Sequence, residues 1–118
     1  MTDARRRLGS DGEDAVARWY EARGYEVVSR NWRVREGELD LVLRRGRTVV
    51  FCEVKTRRGD AFGTPFEAVT MTKQRRLRTL AVRWLSEHPV RAGELRFDVA
   101  AVRMRGSVGE IEVLEAAF

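Results

Sequence analysis

Residues 37–55, which read GELDLVLRRGRTVVFCEVK, decide the fold of this chain because they contain two short apolar stretches separated by a polar loop. Leu39 to Leu43 and Val49 to Val54 have the composition of strands, and the Arg-Arg-Gly-Arg segment between them predicts a hairpin loop. Successive side chains of a strand point to opposite faces of the sheet. Every second residue from Val49 onward is therefore expected on one face, which makes Glu53 and Lys55 neighbours.

Charged residues interrupt these apolar strands, where burial of a charge costs several kcal/mol unless it is paired or bound to a metal. Asp40 and Glu53 supply the hard oxygen ligands that Mg²⁺ or Mn²⁺ prefers, and the backbone carbonyl of Val54 is a further candidate ligand. Lys55 is placed to orient a water or to stabilise developing negative charge. The pattern predicts metal-dependent phosphodiester hydrolysis. The alternative is an ordinary Glu53–Lys55 ion pair on a solvated edge strand.

The same residues resemble a known nuclease signature. Asp40, Glu53 and Lys55 are similar to the D…(D/E)-x-K core of the PD-(D/E)XK, or restriction-endonuclease-like, superfamily, although Leu39 stands where the name-giving proline would be. From about residue 9 to residue 118 the chain also resembles the YraN-like family of small bacterial proteins. The shared motifs are GExxA from Gly12, Gly24-Tyr25, RNWR from Arg30, GELDL from Gly37, FCEVKTR from Phe51, Lys73 and RFDV from Arg96. This resemblance implies a restriction-endonuclease-like fold akin to that of archaeal Holliday-junction resolvases, with a nuclease-type site.

Length and composition indicate one domain. A chain of 118 residues with 43% apolar and 35% charged residues is expected to form a single domain over residues 1–118, with residues 1–8 as a disordered basic tail. The resemblance implies that this domain is restriction-endonuclease-like. No apolar run approaches the roughly 18 residues that span a bilayer, and the N-terminus lacks a secretory signal. The single cysteine, Cys52, is expected to fill the core. These features predict a cytoplasmic protein with no membrane partner.

The charge balance favours a polyanionic partner. The chain has 23 Lys and Arg against 18 Asp and Glu, a formal net charge of +5 at pH 7, and only two of the cations are lysine. Arginine suits bidentate contact with phosphate, and neutralisation of phosphates releases counterions. Genome base composition or the need for solubility would also explain an arginine bias, so charge supports nucleic-acid binding without establishing it.

The first helix is expected from about Asp11 to Arg23, with Gly24 as its C-terminal stop. Glu13 lies on the apolar side of this helix and is expected to face the sheet. One interpretation is a capping box, because Ser10 lies three residues before Glu13. The resemblance to resolvase-like nucleases implies instead that Glu13 contributes an acidic group to the metal site. Both interpretations stay open at this point.

Basic residues flank the predicted site on the chain. Arg57 and Arg58 follow Lys55 closely, so this end of the strand is the nearest place for phosphate contacts. Arg33 is another candidate for binding nucleic acid, because it stands beside Trp32 in an arginine-rich stretch that suits base stacking and phosphate contact. Trp32 itself is expected to pack in the core, since a tryptophan is more often a core residue than a stacking platform.

A second helix is expected after the Gly-rich segment, with Thr72 as its cap and an apolar face formed by Leu77, Leu80, Ala81, Trp84 and Leu85. In related nucleases, polar residues at the start of this helix approach the site, so Lys73 and Gln74 are further candidates for binding nucleic acid. Glu38 shares a face with Asp40 in an extended chain. Glu38 is expected either to contact the metal ligands without binding the metal itself, or to face water in a turn.

The C-terminal third predicts two more strands, over residues 95–102 and 111–114, and Asp98 is expected to pair with an arginine. The elements then follow the order αβββαββ, which indicates an α/β fold with a mixed central sheet flanked by helices. The predicted function is a Mg²⁺- or Mn²⁺-dependent endonuclease acting on DNA, including branched or structured DNA, for which a homodimer would be suited. Two alternatives stay open: a non-catalytic nucleic-acid-binding or partner-binding module on the same fold, and an RNA nuclease.

Overall fold

The computed structural model describes residues 3–58, 66, 69–106 and 108–118 and contains two helices and one sheet. The elements are α1 (Asp3–Glu21), β1 (Glu26–Val34), β2 (Gly37–Arg45), β3 (Thr48–Arg58), α2 (Met71–Glu87), β4 (Glu94–Arg105) and β5 (Val108–Leu114). The five strands lie side by side in sequence order. β3 and β4 pair in parallel, and the other neighbours pair antiparallel. The predicted order αβββαββ and the mixed sheet are confirmed, and they are compatible with a restriction-endonuclease-like fold.

The two helices cover opposite faces of the sheet. A parallel strand pair needs a crossover connection, and α2 lies within the one between β3 and β4. The alternation of β3 then divides the core, because Val50 and Cys52 pack with α1 whereas Val49 and Phe51 pack with α2. The predicted assignment of Cys52 to the core is confirmed. Glu53 follows Phe51 in the alternation and therefore belongs to the α2 face.

Helix α1 starts earlier than the sequence predicted. It begins at Asp3 rather than near Asp11, so residues 3–8, which were expected to form a disordered tail, belong to the helix. The stretch has no proline, and Leu8 packs against the α1 side of the core, which supplies apolar contact to hold these turns. Ser10 consequently lies inside the helix, where it cannot cap it. The capping-box interpretation of Glu13 was therefore wrong.

The C-terminal end of α1 agrees with the prediction. Gly24 has a φ of +86°, and its N–H donates to the carbonyl of Glu21 while the N–H of Tyr25 donates to the carbonyl of Tyr20. This pair of bonds is a Schellman motif, which requires a left-handed residue and so favours glycine.

Gly12 allows α1 to lie against β3. A Cβ atom at Gly12 would be 1.9 Å from Oγ1 of Thr56, whereas a Cβ at Gly9 in the same helix would meet nothing within 4 Å. Glycine inside a helix costs roughly 0.5–1 kcal/mol relative to alanine. At position 12 the missing side chain permits the close approach that carries the next residue, Glu13, toward the sheet.

Asp98 forms a buried network on the α1 face, where it is in register with Cys52. It accepts hydrogen bonds from Oη of Tyr20 (2.6 Å), from Nε and Nη2 of Arg96 (2.9 and 3.0 Å) and from the N–H of Ala116 (3.0 Å). The predicted arginine partner is confirmed. Because Asp98 joins α1, β4 and the C-terminal segment on the face opposite to Glu53, its role is structural.

Helix α2 buries the predicted apolar face, formed by Leu77, Leu80, Ala81 and Trp84. Its cap is Thr70 rather than Thr72, and Oγ1 of Thr70 accepts the N–H of Lys73 at 3.2 Å. Strand β3 continues to Arg58, and residues 59–65, which belong to the Gly-rich segment before α2, lie outside the described residues. Neither described helix is long and apolar enough to cross a membrane.

Candidate active site

Strands β2 and β3 separate at the position of the predicted metal ligands. Their ladder ends where Leu41 pairs with Cys52. Beyond that point Oδ2 of Asp40 accepts the N–H of Val54 at 2.9 Å, so a side chain replaces the next backbone partner. The N–H and C=O groups of one strand residue point to the same side of the strand. The Val54 carbonyl therefore faces the Asp40 side of β3.

Asp40 and Glu53 lie together in this gap. Both line one small cavity, whose other walls are Leu39, Phe51, Cys52, Leu77 and Phe97. The walls are almost entirely apolar, and Glu53 is only 8% exposed. Two carboxylates in such surroundings need compensating positive charge.

Two lysines supply part of that charge. Oε1 of Glu53 lies 2.7 Å from Nζ of Lys73 and 3.4 Å from Nζ of Lys55. The Glu53–Lys55 contact was predicted from strand alternation and is confirmed. Lys73 was expected to bind nucleic acid, and its contact with Glu53 was missed. The signal was present in the sequence, because Lys73 stands four and seven residues before Leu77 and Leu80 and so shares the buried side of α2.

Asp40 has a strongly raised pKa in this gap. Burial, together with the charge of Glu53, raises the pKa of Asp40 to about 7, even though the N–H of Val54 acts in the opposite direction. The charges of Glu13 and Glu38 raise it further. Negative charge is thus in excess around Asp40, although the whole chain carries a net positive charge.

The pKa values of Lys55 and Lys73 are also shifted, in opposite directions. Burial lowers the pKa of Lys55, and the adjacent ammonium of Lys73 acts in the same direction. Burial also acts to lower the pKa of Lys73, but its bonds to Glu53 and Lys55 outweigh burial and raise it. Lys73 is therefore the more firmly charged of the two, and it is the closer partner of Glu53.

Glu13 faces the sheet, as predicted. Its side chain is 14% exposed, it is hydrogen-bonded to Asn31, and its Oε2 lies 3.9 Å from Nη2 of Arg30. Burial raises the pKa of Glu13, while Asn31 and Arg30 act against this. Asn31 has a φ of +50°, a conformation that asparagine tolerates better than most residues. Arg30 and Asn31 thus hold Glu13, and sequence reasoning gave them no such role.

The donors suit a small divalent cation held by few protein ligands. Across residues 3–58, 66, 69–106 and 108–118, no three acidic, histidine or cysteine side chains form a group that could hold an ion by themselves. Mg²⁺ is commonly bound by one or two carboxylates, with water and substrate phosphate completing the shell. Asp40, Glu53 and the Val54 carbonyl meet that requirement chemically. A ligand role for Glu13 stays a prediction.

The remaining predicted residues are less central. Nε of Arg33 lies 3.2 Å from Oε2 of Glu38, and Arg33 is largely exposed, so these two residues pair with each other at the edge of the site. Nε2 of Gln74 donates to the carbonyl of Val69 at 3.2 Å and braces the chain before α2. Nucleic-acid binding by Arg33 and Gln74, and metal support by Glu38, stay predictions.

Arg57 and Arg58 lie at the end of β3, two and three residues beyond Lys55. Nε of Arg57 is buried and has no hydrogen-bond partner within the described part of the chain. Arg58 is exposed. Their position next to Lys55 is as predicted, and their contact with nucleic acid stays a prediction.

Comparison with known proteins gives consistent matches. Residues 12–102 match the model of a family described as "Uncharacterised protein family UPF0102". A protein from Beutenbergia cavernae is 56% identical over 108 residues, covering 91% of this chain and 92% of its own length. Proteins from Rhodococcus opacus (50% identical; 94% and 95% covered) and Frankia casuarinae (53% identical; 90% and 89% covered) are similar throughout. All three are named as UPF0102 proteins. The chain therefore belongs to the UPF0102 family, the YraN-like family that its motifs resemble.

Proposed function

We propose that this protein is a metal-dependent endonuclease that hydrolyses phosphodiester bonds in DNA. The observation that carries the proposal is a pair of carboxylates in the gap between β2 and β3, the buried Glu53 and the partly buried Asp40. Lys55 and Lys73 both contact Glu53. A cluster of this kind costs stability and contributes nothing to core packing that apolar residues would not supply. Ionisable groups with perturbed pKa values are concentrated at functional sites.

Each residue has a chemical role in this proposal. Asp40, Glu53 and the Val54 carbonyl would hold Mg²⁺ or Mn²⁺, which when bound supplies Lewis-acid activation of the phosphoryl group and of a water. The N–H of Val54 fixes the orientation of Asp40. Lys55 orients the attacking water or stabilises negative charge on the phosphoryl oxygens. Lys73, at the start of α2, holds the carboxylate of Glu53 in place through its ion pair.

A second candidate is a non-catalytic nucleic-acid-binding module on the same fold. The observation that favours it is the short contact between Lys73 and Glu53, because this ammonium already neutralises one of the two metal-binding carboxylates. Such a protein would bind nucleic acid equally well with and without a divalent cation. It would cleave no substrate under any metal condition.

The experiment is a cleavage assay with labelled duplex, single-stranded, flap and four-way-junction DNA and with RNA. Each substrate is incubated with Mg²⁺, with Mn²⁺ or with a chelator. The parent protein is compared with Asp40→Asn, Glu53→Gln and Lys55→Met. Glu26→Gln is the matched control, because Glu26 is exposed and pairs with Arg44 at the other end of β2.

Metal-dependent cleavage by the parent and by Glu26→Gln, with a loss of at least about 100-fold in the three site variants, is the expected result. Stronger cleavage of RNA than of DNA would reassign the substrate to RNA. Absence of cleavage for every substrate, together with binding that persists in chelator, would replace the nuclease by the binding module.

A further inference from the structure

Helix α2 carries a cationic surface that the fold only partly uses. Between Met71 and Glu87 it has five basic residues and one acid. Three of the basic residues have defined partners within the described structure. Lys73 contacts Glu53, Arg78 lies over the rings of Phe97 and Phe118, and Arg83 pairs with Glu36 and Glu87.

The other two basic residues, Arg75 and Arg76, differ from these three. Both are exposed, and no carboxylate in the described part of the chain lies within ion-pair distance of either guanidinium. They are adjacent on the chain, so their charges repel each other. The first turn of the helix contains no acid to offset them and contributes a positive dipole of its own.

Their position relative to the candidate active site is fixed by two contacts. The short contact of Lys73 with Glu53 anchors the start of α2 at the carboxylates. Arg76 stands three residues later, on the adjoining side of the helix and roughly 4.5 Å further along its axis. A Cβ atom added at Gly37 would be 3.5 Å from Cδ of Arg76, so the stem of Arg76 lies over the start of β2. Arg76 therefore lies next to the strand that carries Asp40.

We propose that Arg75 and Arg76 bind backbone phosphates of the nucleic-acid strand that enters the candidate active site. Exposed arginines without carboxylate partners offer the planar, bidentate geometry that phosphate oxygens accept. Arg83, on the same helix, differs from them because its guanidinium already forms ion pairs with Glu36 and Glu87. The inference rests on the proposed function, which identifies the bound strand as nucleic acid. It assigns Arg75 and Arg76 as the phosphate-binding surface along which that strand lies.

The test measures the salt dependence of binding to labelled duplex DNA, single-stranded DNA and RNA, in chelator so that no cleavage occurs. The variant is Arg75→Gln/Arg76→Gln. The control is Arg44→Gln/Arg47→Gln, which removes the same two charges from exposed positions at the far end of the β2–β3 hairpin. Arg44 pairs with Val49, six residues before Lys55 on β3, or roughly 20 Å away.

Loss of two phosphate contacts should lower the slope of log K against log salt by about 1.8 for duplex and about 1.4 for single strands. Between 50 and 200 mM salt, the affinity of the variant for duplex should therefore change about 12-fold less than that of the parent. The control should keep the parent's slope. Unfolding midpoints of both variants should match the parent's, because all four side chains are exposed.

An unchanged slope in the Arg75/Arg76 variant, an equal decrease in the control, or a parent that binds neither DNA nor RNA would overturn the inference. Equal, Arg75/Arg76-dependent binding of a polyglutamate of matched charge would overturn its assignment to nucleic acid. If the parent cleaves DNA and the Arg75/Arg76 variant has an unchanged slope, the proposed nuclease function stands and the phosphate-binding role of Arg75 and Arg76 is rejected. If the variant has a lowered slope and the parent cleaves no substrate, the phosphate-binding role stands and the nuclease function is rejected.

Discussion

Asp40→Asn is expected to stabilise the protein at pH 8 and to have no effect near pH 4. The pKa of Asp40 is raised from an ordinary 3.8 to about 7 by burial and by the charge of Glu53, so the folded protein binds this proton more tightly than the unfolded chain does. The stability that the proton contributes is complete below about pH 3.8 and is lost as the pH rises through about 7. At 1.36 kcal/mol for each pKa unit, the loss is at most about 4 kcal/mol.

Asparagine preserves the geometry while it removes the charge. Its carbonyl oxygen can still accept the N–H of Val54, the bond that orients Asp40 in the parent. Unfolding is followed by circular dichroism at intervals between pH 4 and pH 8.5, with Glu26→Gln as the control. At roughly 4 °C per kcal/mol for a chain of this size, the midpoint of Asp40→Asn should exceed the parent's by up to about 16 °C at pH 8. The control should follow the parent at every pH.

A pH-independent difference between Asp40→Asn and the parent, or a variant that is less stable at pH 8, would refute this account of the site. Either result would mean that Asp40 is ionised and fully compensated in the folded protein. A divalent cation offers a second readout, because an ion that binds the folded state raises its midpoint. Mg²⁺ or Mn²⁺ should raise the midpoint of the parent at pH 8 and leave that of Asp40→Asn unchanged.

Three further predictions concern stability. Gly12→Ala should lower the free energy of unfolding by about 1–3 kcal/mol in urea titrations, because the added Cβ overlaps a β3 side chain. The control Gly9→Ala should raise the free energy of unfolding by roughly 0.5–1 kcal/mol. Equal effects at the two positions would disprove the close packing of α1 on β3. Lys73→Met should lower the free energy of unfolding by about 1–3 kcal/mol, since it removes the nearer partner of a buried carboxylate, while Arg83→Met, in an exposed ion pair, should unfold as the parent does. Tyr20→Phe should cost about 1.5–3 kcal/mol through the lost bond to the buried carboxylate of β4, and an unchanged unfolding curve would show that this hydroxyl contributes nothing.

Local pattern determined most of the fold and the centre of the candidate site. The alternation of apolar residues in β3 determines which side chains face each helix, and the same alternation places Glu53 beside Lys55. Gly24 marked the end of α1 because its left-handed conformation is a property of the residue itself. These successes depend on interactions within a few residues along the chain, which sequence spacing records directly.

The tertiary structure decided what depends on contacts between elements distant in sequence. The N-terminal turns of α1 form because Leu8 packs on the sheet, and the capping box fails for the same reason. Lys73 became the closest partner of Glu53 only when the crossover brought the start of α2 over the end of β3. Asp40, thirteen residues before Glu53 on the chain, shares its cavity because β2 and β3 separate there. Spacing along the chain predicts faces and turns, but distances between side chains follow from how the helices and sheet pack.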